Sequence, residues 1–252
     1  MATTTLIVND VKPLNFSSPH ITASFVQAAR DFYVGPRTVV VNPTRTDASV
    51  KAARANVIPP FSSLILRDVT IAQADALVLL ELRDLANLGN IVLGEGWALY
   101  GTLIPSAPAH QGGAGPLPFP KDTPLWRSPQ DDIGTMSFDP GTLPGQTDRH
   151  LGAVQFVVKV NLWFAPAGTD CFIHNQHDFI EIHSQITGCG RMQKFNAQDH
   201  STLYHDEMMS PGYTTTVPFC DVRGPSTFVY PWHQYYADTD CIWMAVEFHP
   251  TA

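Results

Sequence analysis

The sequence predicts an all-β protein, and three observations predict it. Twenty-one prolines and 17 glycines are spread as punctuation through the 252 residues. Between them run short segments rich in Val, Ile, Phe and Tyr, residue types that fit a pleated, half-buried surface. In residues 153–248 such segments recur about every ten residues, the spacing of a sandwich or a small barrel.

Taken in order, apolar alternation marks strands at 37–41, 63–69, 75–82, 90–92 and 97–104, while 22–32 reads as a helix. Residues 1–104 are therefore a β-rich N-terminal portion. From 105 to 149 hydrophobicity falls and Gly and Pro crowd together, above all at 111–120 and 140–145, as in a linker or a lid-like loop. Residues 150–252 form the second unit, with strands expected at 153–164, 179–187, 191–195, 215–219, 228–230 and 241–248. A faint likeness between 94–100 and 188–194 makes a degenerate second barrel in the N-terminal portion the alternative architecture.

Composition excludes several function classes. With 44% hydrophobic and 15% charged residues the chain falls among ordinary globular proteins. A net charge of -8 without any Lys/Arg cluster argues against nucleic acid as a partner. The longest apolar stretch, 74–82, is interrupted by Asp75 and falls far short of the roughly 20 apolar residues of a membrane span. Residues 1–12 hold only Leu6-Ile7-Val8 as an apolar patch, with no basic start, so a cytoplasmic protein without a secretion signal or membrane partner is expected. Cys171, Cys189, Cys220 and Cys241 form no C-x-x-C pair and are expected as free thiols.

The histidines carry the chemistry. None of the ten lies between Ile21 and Ala109, yet His174, His177, His183, His200, His205, His233 and His249 crowd the last third of the chain. The informative stretch runs from Gly168 to Gly188 and places His174, His177, Glu181 and His183 around one turn and the strand after it. Imidazole and carboxylate are ligand types for Zn, Fe, Mn, Ni or Cu. Alternation along a strand sends Glu181 and His183 to the same face.

This stretch resembles the first motif of the cupin superfamily: Gly, five residues, His-x-His, three or four residues, Glu, six residues, Gly. Five residues separate Gly168 from His174, and six separate Glu181 from Gly188. The two histidines are two residues apart instead of one, so either His174 or Asn175 fills the first ligand position, and His177 is the second family histidine. The second motif, Gly, five residues, Pro-x-Gly, two residues, His, has its counterpart from Gly224 through Pro231 to His233, compressed and without the inner glycine. The resemblance covers residues 151–249.

It implies a cupin-type jelly-roll barrel in the C-terminal half, holding a divalent metal ion through His174, His177, Glu181 and His233. Iron is the first expectation, with zinc, nickel or manganese as alternatives. It also implies a small organic substrate at the barrel mouth and a homodimer. Glu181, His183, Arg191 and Tyr235 are the candidate catalytic residues: His183 as an acid/base group beside the metal, Arg191 as a bidentate partner for a substrate carboxylate. Gln193 is expected in the same cavity. His200, His205 and His249 are set aside as ligands. The first functional expectation is a non-haem iron dioxygenase. The alternatives are a non-redox isomerase, tautomerase or lyase (a dehydratase or decarboxylase), and a metal-free module binding a sugar or metabolite.

Overall fold

A computed structural model describes residues 7–54, 56–104, 119–146, 150–215 and 218–251. The N-terminal portion consists of β1 (Asp10–Pro13), β2 (Ile21–Val34), β3 (Thr38–Asn42), β4 (Ala48–Lys51), β5 (Asn56–Ile58), β6 (Ser62–Leu66) and β7 (Val69–Leu82). They pair in the order β1-β2-β7-β3-β6, with β4 also on β7 and β5 on β4. The helix expected at 22–32 is the long strand β2. It pairs with β7 from Ile21 opposite Leu82 to Val34 opposite Val69. Ile21, Ala23 and Phe25 are buried while Thr22 is exposed, so burial against a partner strand overrides a weak local helix preference. The strand expected at 90–92 is instead a 3-10 turn over Leu88–Leu93.

The remaining strands are β8 (Ala98–Leu99), β9 (Trp126–Arg127), β10 (Asp131–Phe138), β11 (Val154–Ala165), β12 (Ile180–Thr187), β13 (Gly190–Phe195), β14 (Leu203–Met209), β15 (Asp221–Gly224), β16 (Thr227–Val229), β17 (Trp232–Ala237) and β18 (Cys241–Pro250). A single-turn helix, α1 (Tyr100–Leu103), follows β8, so the strand expected at 97–104 is only partly formed. One sheet runs β12-β18-β11-β9-β8 with β10 on the edge of β11, and a second runs β14-β13-β17. The stretch expected as linker or lid is in part structural: β9 and β10 hydrogen-bond directly to β11, while 105–118 and 147–149 lie outside the described residues. Within 94–100, β8 pairs with β9 and so belongs to the sheet of β11. The strand expected at 215–219 also departs, since β15 begins at Asp221 and 216–217 lie outside the described residues.

Burial explains the layering. Strands β12 and β18 are buried on both faces; β18 accordingly reads as a nearly unbroken apolar run, whereas β12 alternates Ile180 and Ile182 with the buried Glu181 and His183. On one face Ile180, Ile182, Met244, Val246 and Phe248 share a core with Ile21, Phe25, Val39, Val78 and Leu80 of the N-terminal sheet. On the other, Cys241 and Trp243 pack against Met192, Met209, Tyr235 and Ala237 of the small sheet. The metal-candidate strands thus form the middle layer. The N-terminal sheet also encloses a second core of its own, including Val26, Val40, Ile58, Ile71 and Leu77. Polar seams join the halves: Lys12 and Asn15 bond Asp131, and Ser63 bonds Thr214, which bonds Ser184.

The turn from β12 to β13 explains why a glycine stands at 188. Gly188 has φ +77°, and a Cβ there would sit 2.0 Å from the Asp240 carbonyl oxygen. Both conditions admit only glycine. All four cysteines are free, and only Cys189 is exposed. Burial raises the thiol pKa of Cys220 to about 12 and of Cys241 to about 11. A thiol-reactive dye at neutral pH is therefore expected to label one cysteine rapidly in the native protein and four after denaturation. Rapid native labelling of more than one would contradict the burial described.

Candidate metal centre

His174 lies in the loop between β11 and β12, and His233 lies on β17. The loop is held to the strand by a reciprocal backbone pair, each residue's N–H donating to the other's carbonyl at 2.9 Å. This places the two imidazole centroids 4.4 Å apart. His177, three residues on, turns back over the pair with centroids 4.9 and 5.1 Å away. One ring nitrogen from each of His174, His177 and His233 lies within 4.8 Å of the other two.

The orientation of two of these rings follows from their partners. His174 Nδ1 is 2.8 Å from the Phe172 carbonyl, and His233 Nδ1 is 2.9 Å from the Pro231 carbonyl. A carbonyl only accepts, so both Nδ1 atoms carry the proton and both Nε2 atoms present a lone pair. Phe172 adopts φ +73°, a left-handed conformation unusual for a bulky residue, in the turn that brings its carbonyl to His174. His177 Nε2 faces His233 Nε2 at 3.2 Å. Burial pushes the pKa of all three imidazoles down, aided for His177 and His233 by the neighbouring rings. Three neutral imidazoles converging on one point form a donor set for a cation.

Glu181 stands beside the trio rather than inside it. Its Oε1 is 3.5 Å from His177 Nε2, and its Oε2 is 3.9 Å from His183 Nε2. The residue is 5% exposed. Burial, and then the nearby charge of Glu247, holds its carboxyl well above the usual carboxylate range. A cation at the imidazoles would relieve that penalty. The residues therefore fit a divalent metal, with Glu181 as the carboxylate neighbour. His183, on the same face of β12, has Nδ1 2.8 Å from the Tyr235 hydroxyl. Burial lowers the His183 pKa to about 4 and lifts Tyr235 well above its ordinary value, so the two form a neutral hydrogen-bonded pair at neutral pH. Tyr230 braces the start of β12, its hydroxyl accepting from the Glu181 N–H and donating to the Phe179 carbonyl.

These groups line a cavity of about 400 Å³. Its walls are largely aromatic, with Tyr100, Phe119, Trp163, Phe172, Phe179 and Trp243. Its polar lining also includes Arg127, Gln130, Glu247 and His249. Glu247 is the cross-strand partner of Glu181, but its environment is different. Asn161 donates to its Oε1 at 2.7 Å, Gln130 to its Oε2 at 2.8 Å, and His249 Nε2 lies 2.8 Å from Oε2. Burial pushes its carboxyl up, but the hydrogen bonds from His249 and Asn161, with the charge of the nearby Arg127, outweigh that and hold it below the usual range. Two adjacent buried carboxylates are thus pushed in opposite directions by their surroundings.

The site assembles most of the residues expected from the sequence. His174, His177, Glu181, His183, His233 and Tyr235 all face the cavity. Arg191 does not. Its guanidinium is held by Asp238 and Asp206 at 2.8–3.0 Å on the far side of β13, because the neighbouring Met192 takes the inward position. Gln193 shares that outer face and bonds Gln234 and Asp206. Arg127, Gln130, Asn161 and Glu247 were not anticipated, and His249 lines the cavity although it is not one of the clustered imidazoles. A single carboxylate inside the apolar run of β18, at the parity of Trp243, was the available signal for Glu247.

No family model matches the chain. No curated protein matches it either. Similar solved structures are found at low identity. Ectoine synthase from P. lautus aligns at 15% identity and a TM-score of 0.28, covering 38% of this chain and 56% of that one. Oxalate oxidase in complex with glycolate aligns at 16% and 0.27, covering 51% and 52%. A point mutant of Bacillus subtilis oxalate decarboxylase aligns at 10% and 0.30, covering 98% and 75%. The chain thus spans about half the length of the first two of these. Among the described residues no helix is long and apolar enough to cross a membrane.

Proposed function

We propose that this chain is a metal-dependent enzyme acting on a small organic molecule bound in the aromatic cavity, with oxidation by dioxygen at a non-haem iron as its reaction. The observation that supports it is the convergence of three neutral imidazoles on one point of the cavity wall. His174, His177 and His233 would hold the ion, with Glu181 as the carboxylate donor. A bound iron with these donors would supply open positions for substrate and oxygen. The chain's own contributions are separate from that chemistry. The carbonyls of Phe172 and Pro231 fix the two rings, the aromatic walls exclude water from the reacting atoms, and the hydrogen-bonded Tyr235–His183 pair can hold or pass a proton next to Glu181.

That same Tyr235–His183 pair favours a second reading, in which a Lewis-acidic metal polarises a carbonyl and the pair moves a proton during isomerisation, tautomerisation or elimination. Elemental analysis of the purified protein, together with turnover assays with and without oxygen, separates the two. Near-stoichiometric iron with oxygen-dependent turnover is the expected result. Zinc, nickel or manganese with turnover indifferent to oxygen would replace it with the second reading. A protein that holds no metal after reconstitution with any of these ions would overturn both and leave a metal-free binding module.

A further inference from the structure

Among the described residues Arg127 is the one arginine or lysine that lines the cavity. It sits on β9 opposite Trp163 of β11, and its side chain lines the same cavity as the histidine trio. Its Nε is buried and makes no hydrogen bond among the described residues. The nearby Glu247 attracts it across space, but the hydrogen bonds of that carboxylate go to Asn161, Gln130 and His249. The guanidinium lies 5.9 Å from the centroid of the Tyr100 ring, a weaker interaction than the pairing with a carboxylate that its planar fork is shaped to make. A buried donor without an acceptor is costly unless a ligand completes it. Tyr100 in turn stacks edge-on with Trp163 and Phe119, so the cation sits at the end of a ring-lined slot.

We propose that the cavity takes a small carboxylate with an apolar, ring-sized body, and that Arg127 binds the carboxylate group. The role expected of Arg191 falls to Arg127. The assignment depends on the enzymatic reading above only in treating this cavity as the substrate site. The aromatic walls clasp the body, Arg127 sets the polar end, and the far end of the molecule lies toward His177 and Glu181.

The test compares acids with their amides: 3-phenylpropanoate against 3-phenylpropanamide, and hexanoate against hexanamide, followed by the fluorescence of the cavity tryptophans Trp163 and Trp243. Each acid is expected to bind at least about tenfold more tightly than its amide, and Arg127→Gln to erase that preference. Arg127→Lys, which keeps the charge without the fork, is expected to retain part of it. The series is repeated after chelator treatment and in His233→Ala, because a carboxylate could also bind a metal directly. A preference that persists without metal and disappears in Arg127→Gln supports the proposal whether or not the metal reading stands. A preference lost on chelation but kept in Arg127→Gln would overturn it, as would equal binding of acid and amide, or no binding of either. Circular dichroism of both Arg127 variants confirms that they fold.

Discussion

His233→Ala is expected to abolish metal retention: bound metal after gel filtration falls from about one ion per chain to a trace, an affinity loss of at least about 100-fold. The effect should be large because His233 connects the other two rings. Its Nε2 is 3.2 Å from His177 Nε2, and its ring lies 4.4 Å from that of His174. Removing it takes one of the three converging nitrogens and leaves His174 and His177 without the ring that lies between them, while Glu181 stands beside the cluster at 3.5 Å from His177. The backbone pair with His174 uses main-chain atoms and survives the change, so the loop should stay in place. His249→Ala is the matched control. It faces the same cavity, but its ring nitrogen is bound to Glu247, so it should leave metal content unchanged. Added metal is expected to raise the melting temperature of the wild type and of His249→Ala, and not of His233→Ala, since an ion at 100 times its Kd stabilises the folded state by about 2.7 kcal/mol. Full metal content in His233→Ala, by mass spectrometry of the elements, would remove the trio from the site.

What could be read in the sequence, and what could not, follows the same physical division. Strands β11 and β18 stood out because long apolar runs with β-branched and aromatic residues have few other solutions, and β12 because isoleucines alternate with polar residues along it. The ligand candidates stood out because their spacing matches a known motif and their residue types share one chemistry. Arg127 was hidden because β9 is two residues long inside a Pro-rich stretch, where no period can show. Arg191 was misplaced because it neighbours Met192, and in a strand one residue of parity exchanges inside for outside. Glu247 needed the register itself, which sets it opposite Glu181 on the cavity face. β2 was misread because Ala and Gln support a helix locally, and only its 14-residue pairing with β7 decides otherwise.

Phe248→Ala tests whether the two halves are one cooperative unit, and it should destabilise the protein by about 3–5 kcal/mol. Phe248 is 1% exposed and packs edge-on against Phe61 of the N-terminal half and against Phe138 and Phe156 of β10 and β11, at centroid distances of 5.5, 5.6 and 6.4 Å. Truncation opens a cavity between the two layers, where no single strand can collapse to fill it. All five tryptophans lie between residues 97 and 243, beyond the last strand of the N-terminal sheet at Leu82, so fluorescence follows the other sheets, whereas far-ultraviolet circular dichroism follows both parts. In guanidinium the two signals are expected to coincide in the wild type and to shift together in the variant. Separate transitions would mean that the shared core does not couple the halves. Metal binding below the transition should persist, because Phe248 points away from the cavity while its neighbours Glu247 and His249 point into it. The alternation along β18 therefore separates the residues that hold the layers together from those that line the site.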